Sequence, residues 1–189
     1  MSDLRLVSPT HPAAAPLLTG LRHEYHRDYG PEVARELDLY SPLEFLPPGG
    51  AFLIAEEDGM TVAGGALRRL GDGVGEIKRM WTSPAHRGRG HARRVLTALE
   101  QAAARRGYHT LRLETGNLQI AAIALYTSAG YTEVPPYGRH FGDHPQCVCY
   151  EKRLDGRDHL APDALDRGQV LVREMLQHHP PDAGLRKVA

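Results

Sequence analysis

Two cysteines, three phenylalanines and one tryptophan are all that this chain of 189 residues has of those types. Cys147 and Cys149 stand in a C-x-C spacing. Alternate residues of a strand share a face but are poorly placed to bridge each other. No disulfide framework is expected, and reduced thiols in a cytoplasmic protein are the reading. An excess of one charge is also lacking. Lys plus Arg number 23 and Asp plus Glu number 23, which argues against a general nucleic-acid or polyanion binder. No apolar run approaches the ~18 residues of a membrane span, so no membrane partner is expected. Residues 1–20 show no basic start followed by an apolar segment, so no signal peptide is read. There is no Gly-x-Ser-x-Gly elbow, which disfavours a serine hydrolase. Internal repeats and low-complexity tracts are absent as well.

What remains is an ordinary globular composition, 41% hydrophobic and 24% charged, in a length that suits one domain with a sizeable core. The centre of the pattern lies between Gly75 and Arg106. Val74 to Thr82 alternates and carries β-formers, so it reads as a strand. On that period Glu76, Lys78 and Met80 share a face. Ser83 to Arg89 reads as a tight loop around Pro84 and Gly88. Gly90 to Arg106 repeats small and apolar residues at helical spacing. Ala92, Val95, Leu96, Leu99, Ala102 and Ala103 take one side, and Arg93, Arg94, Thr97, Glu100, Gln101 and Arg105 the other. Gly107 follows as a C-terminal cap.

A strand, a glycine-bearing turn and a helix together make an anion site. The first N–H groups of a helix have no internal partners, and the helix dipole favours negative charge there. Gly88 and Gly90 let an anion approach the main chain, and Arg87, Arg89 and Arg93 add cations. The turn is not a nucleotide-hydrolase phosphate loop, because a Gly-Lys-Ser/Thr ending is missing, and it lacks the third glycine of GxGxxG.

The flanking segments read as follows. Residues 4–7 form a short strand. Ala13 to Tyr25 is a helix with Leu17, Leu18 and Leu21 apolar. Pro31 opens a second helix, with Val33, Leu37 and Tyr40 marking its buried side. Strands follow at 51–56 and 61–69, joined by an Asp58-Gly59 hairpin turn. Gly71-Asp72-Gly73 turns into the central strand. Thr110 to Thr115 is a strand whose parallel partner is reached through the long helix. Ile120 to Ala129 is a helix, residues 131–134 and 146–154 are strands, and 135–145 is a loop carrying Tyr137, Arg139, His140 and His144. Residues 155–189 form a C-terminal extension with a helical stripe over 162–178. That extension is a candidate dimer or docking element. His159, His178 and His179 are read as surface residues, and no metal site is expected.

Arg87-Gly88-Arg89-Gly90-His91-Ala92 resembles the Arg/Gln-x-x-Gly-x-Gly/Ala signature of the GNAT superfamily of acyl-CoA-dependent N-acyltransferases. Lys78 to Pro84 resembles that family's central strand and turn, and Ala121 to Tyr131, with its Leu125-Tyr126 pair, fits the helix after the fifth strand. The element order over about residues 3–154 is the family's order. The resemblance implies an α/β (α+β) fold: a mixed, mostly antiparallel central sheet with a splayed strand pair and helices on both faces. Residues 1–154 are then the N-acetyltransferase domain.

The resemblance also implies roles. Met80, Trp81 and Thr82 would present backbone groups to the pantetheine arm. Arg87, Gly88, Arg89, Gly90, His91, Ala92 and Arg93 would wrap the pyrophosphate of acetyl-CoA, and Gln119 would contact the cofactor where the family often has Asn. Tyr126 would protonate the departing thiolate. Glu76 and Glu114 compete as the base, with Glu76 placed first and His140 third. The first helices would form one wall of the acceptor cleft, where Glu32, Glu36 and Asp38 would suit a cationic amine, and the loop from Pro135 to Arg139 would line it. The expected activity is acetyl transfer from acetyl-CoA to a primary amine of a small molecule by direct attack in a ternary complex. The alternatives are a protein or peptide N-acetyltransferase and a non-catalytic acyl-CoA-binding sensor.

Overall fold

In the computed structural model, residues 2–137 and 146–154 are described. Their order is β1 (Asp3–Leu6), α1 (Ala15–Tyr29), α2 (Pro31–Ala34), β2 (Ala51–Glu57), β3 (Met60–Gly71), β4 (Val74–Thr82), α3 (His91–Arg105), β5 (Thr110–Gly116), α4 (Ile120–Ser128), β6 (Thr132–Val134) and β7 (Cys147–Arg153). Short 3-10 turns join several of them. The seven strands form one sheet in the order β1-β2-β3-β4-β5-β7-β6. All neighbouring pairs are antiparallel except β4 and β5, which run parallel. The long helix α3 makes the crossover between them, as a parallel pair requires.

Each face of the sheet carries its own core. Val95, Leu96, Leu99, Ala102 and Ala103 of α3 pack on Leu53, Leu67, Ile77, Leu111 and Leu113, and Tyr126 of α4 joins them. On the other face Leu17 and Leu21 of α1 pack with Phe45, Phe52, Ile54, Ala66 and Trp81. Fully burying one such Leu, Ile or Phe is worth about 1.5–3 kcal/mol, so the two clusters fix both helix layers. The Asp58-Gly59 turn has positive φ at both residues (50° and 74°), the conformation a tight hairpin requires.

Three expectations change. The second helix is only four residues long and tightens into a 3-10 turn, Arg35–Asp38. Val33 is half-exposed, while Leu37 and Tyr40 are buried as the pattern required. Glu100, assigned above to the polar side of α3, is buried and accepts from Lys152 Nζ at 2.9 Å. Its partner arrives from β7, beyond the reach of a helical-wheel argument.

The third change concerns β4. The β3–β4 register slips between Gly64 and Ala66, opposite Arg79, whose φ is +57°. This is a bulge: one extra residue on β4, which reverses side-chain parity beyond it. Met80 therefore turns to the α3 face, where its Sδ would meet a Cβ added at Gly65. Glu76 and Lys78 stay together on the α1 face, 3.5 Å apart, without Met80.

The bulge also bends β4 away from β5. The two strands pair only over Val74–Ile77 and Thr110–Leu113. Beyond that point Trp81 and Thr82 stay with β3, while Glu114, Thr115 and Gly116 stay with β7. The result is a V-shaped gap in the sheet, with the α3 N-terminus beside its open end.

Candidate active site

Two cavities meet in this gap. The larger, about 530 Å³, lies over Met80, Trp81, Thr82, the Arg87–Gly88 turn, Gly90 and the first turn of α3, and is closed by α4. The smaller, about 120 Å³, lies under α1 and α2 and reaches Lys78, Arg79, Glu114 and Cys147. Met80, Gln119, Ala122 and Tyr126 line both.

The larger cavity has the features of an anion-and-amide site. Gly88 and Gly90 adopt left-handed φ of 74° and 81°, and the space where a Cβ would stand is open at both. Glycine holds that conformation without strain and leaves the helix N–H groups accessible. Beyond Ile77 the edge of β4 that faces β5 has no ladder partner among the described residues, so its peptide groups can bond an extended amide ligand as an added strand would.

Of the residues expected to hold the cofactor, all but Arg89 border this cavity. Arg89 is exposed on the turn. Arg87 is tied at 2.5 Å to Glu24 and at 3.2 Å to the Thr82 carbonyl. Arg93 donates to Ser128 Oγ on α4. The His91 ring contacts Ser2 Oγ at 3.2 Å and Glu57 at 3.6 Å, so its contribution to the turn is its backbone. Gln119, at the N-cap of α4, borders both cavities, whereas Asn117 borders neither.

Tyr126 is 4% exposed and sits between the cavities. Burial pushes its phenol well above the ordinary value, against an opposing pull from the Lys78 charge. The hydroxyl is therefore fully protonated at neutral pH.

The two candidate bases occupy different positions. Glu114 lines the smaller cavity, and Lys78 Nζ donates to its Oε2 at 2.7 Å. Glu76 lies outside both linings, 1% exposed. It accepts from Arg68 Nε at 2.6 Å and from the Tyr137 hydroxyl at 3.3 Å. Arg68 also reaches Glu44 at 3.1 Å. Glu44, Arg68, Glu76, Lys78 and Glu114 thus form a continuous charged chain behind and beside the smaller cavity. The Tyr40 ring lies under both cations of that chain, 4.4 Å from Arg68 and 5.2 Å from Lys78. Burial, reinforced by Glu76 and Glu114, raises the Tyr137 phenol far above its usual range.

Several lining residues were not legible beforehand. Glu24, Arg27 and Asp28 of α1 border the larger cavity, and Tyr25 and Tyr29 border the smaller. The sequence showed a helix there but not which face meets the gap. Glu32 does border the smaller cavity, while Asp38 turns outward to Arg22 at 2.7 Å. Tyr137 supports Glu76 and is not part of the smaller cavity's lining. His140, Arg139 and the whole extension from 155 lie outside the described residues.

Comparison with known proteins gives the family. The model of the "Acetyltransferase (GNAT) family" matches residues 18–131. The chain is 34% identical over 148 residues to the IAA acetyltransferase of Azospirillum brasilense, covering 78% of this chain and 94% of that protein. It is 33% identical over 88 residues to the L-methionine sulfoximine/L-methionine sulfone acetyltransferase of Salmonella typhimurium, covering 45% of this chain and 50% of that one. A solved Klebsiella pneumoniae protein, assigned as an acyl-CoA N-acyltransferase, superposes with a TM-score of 0.67 at 32% identity. That match covers 82% of this chain and 99% of the other. The chain belongs to the GNAT family of acetyltransferases and is an acyltransferase. Among the described residues, no helix is long and apolar enough to cross a membrane.

Proposed function

We propose that the protein transfers an acetyl group from acetyl-CoA to the amine of a small molecule, by direct attack with both substrates bound. The observation that carries this reading is the meeting of the two cavities at Met80, Gln119, Ala122 and Tyr126. One cavity has anion-binding and strand-edge features; the other is small and lined by tyrosines, apolar side chains and carboxylates. Its volume of about 120 Å³ supports a small acceptor over a peptide.

Acetyl-CoA supplies a thioester carbonyl open to amine attack and a thiolate leaving group. The N–H groups of His91, Ala92 and Arg93, with the Gly88–Gly90 turn, hold its pyrophosphate. The unpaired edge of β4 near Met80 holds the amide-bearing arm and offers an N–H to the carbonyl oxygen. Glu114 rather than Glu76 takes the proton of the attacking ammonium, directly or through water, because it borders the cavity. The nitrogen–carbon bond forms as the carbon–sulfur bond breaks. The Tyr126 hydroxyl donates to the sulfur as it leaves and regains its proton from solvent. Glu76 fixes Arg68, Lys78 and Tyr137, and so positions Glu114 through Lys78.

A screen of amines, amino acids and peptides, read by release of free thiol from acetyl-CoA, tests the reading. Turnover with small amines is expected. Silence across the whole panel with coenzyme A binding intact overturns it and leaves a cofactor-binding sensor.

A further inference from the structure

Cys147, Cys149 and Glu114 converge on one point of the sheet. Glu114 of β5 stands directly opposite Cys149 of β7, and Gly116 stands opposite Cys147. Residues two apart on a strand share a face, so both thiols and the carboxylate lie on the same side of the sheet. One sulfur from each cysteine and one carboxylate oxygen all lie within 4.8 Å of one another. The opposing glycine adds no side chain to the group.

We propose that these three side chains form a binding site for a thiol-seeking divalent cation of the zinc class. Two thiolates and a carboxylate are a donor set that zinc accepts in tetrahedral geometry. With bonds of about 2.3 Å to sulfur and about 2.0 Å to oxygen, the two sulfurs stand about 3.8 Å from each other and about 3.5 Å from the oxygen. Rotamer adjustments of about an ångström close the present spacing to those values. Cys147 and Glu114 line the smaller cavity, so an ion reaches them through it. Lys78 holds Glu114 Oε2 at 2.7 Å, which orients the carboxylate and leaves its second oxygen for the ion.

Charge balances in the exchange. The ion enters as two thiol protons leave, so the cavity's net charge is unchanged while a buried cluster of polar groups gains strong bonds. A disulfide between the same sulfurs is disfavoured, because adjacent positions on one strand face hold their Cα atoms near the limit of what a bridge spans. The ion occupies the space assigned above to the acceptor amine, so ion and acceptor exclude each other if that reading holds. The site itself does not depend on that reading.

The test uses the full chain in a non-chelating reductant, with Co²⁺ as a spectroscopic probe and Zn²⁺ as competitor. Neither readout depends on turnover. One equivalent of Co²⁺ is expected to bind with release of two protons and the intense ultraviolet band of sulfur-to-cobalt charge transfer, and Zn²⁺ is expected to displace it, removing the band with no further proton release. Cys147→Ser and Cys149→Ser should each weaken Zn²⁺ binding at least tenfold and cut the band by about half or more. Glu114→Gln should weaken binding while keeping the band. Absence of the charge-transfer band in the unaltered chain overturns the proposal, as does Zn²⁺ affinity unchanged in either cysteine variant. Because the first of these results needs no variant, a folding defect in Cys149→Ser cannot decide the question.

Discussion

Glutamate-to-glutamine exchange at positions 76 and 114 separates a structural carboxylate from a reacting one. Glu76 is 1% exposed and pairs with Arg68 at 2.6 Å. Removing one partner of a buried pair costs about 3–5 kcal/mol, because the other charge is left uncompensated. Two features reduce that here. Glutamine keeps an oxygen that can accept from Arg68 Nε, and Glu44 stays 3.1 Å from the same guanidinium. Glu44 is 39% exposed, so its share of the compensation is screened and incomplete. A net loss of about 2–3 kcal/mol follows. For a domain of this size that lowers Tm by about 4–12 °C. Because Glu76 lies outside the cavity lining, kcat at a permissive temperature should fall less than about tenfold. Glu114→Gln should behave in the opposite sense, with kcat down by about 10²–10⁴, the range of a lost general base. Scanning calorimetry and thiol-release kinetics with an acceptor from the screen give both numbers for both variants. A Glu76→Gln protein with unchanged Tm and a kcat loss matching that of Glu114→Gln would refute the assignment.

Tyr126→Phe should lower kcat by about 10²–10³ and leave coenzyme A affinity within a few-fold, measured by calorimetric titration. Gly90→Ala places a Cβ in open space at a left-handed φ of 81°, so it should cost about 1–2 kcal/mol in strain while raising the KM for acetyl-CoA at least tenfold. The tyrosines set the alkaline limit. The phenols of Tyr126 and Tyr137 are raised in the fold, so their neutral forms stabilise it fully below the unfolded value of about 10. That stability is lost as pH rises above about 10 toward the folded values. Tyrosinate absorbance and circular dichroism should therefore change together above that pH; ionisation of these buried phenols without unfolding would contradict their placement.

The sequence by itself determined the order of elements, the glycine-bearing turn and the helix that carries Tyr126. Those are local properties. Alternation, helical spacing, a hairpin dipeptide and glycines at a turn each act through neighbouring residues, and Arg87 to Ala92 with Leu125-Tyr126 is a short, contiguous pattern. Only the tertiary structure decided which carboxylate meets the cavity. The sequence placed Glu76 ahead of Glu114, both on strands, whereas only Glu114 lines a cavity. The bulge at Arg79 needs a partner strand to define it, so a period of two could not foresee that Met80 leaves the face of Glu76 and Lys78. The parting of β4 from β5, the burial of Glu100 against Lys152 and the approach of Cys147 and Cys149 to Glu114 have the same origin. Each brings together residues distant in the chain, and the energy that fixes them lies in packing between elements.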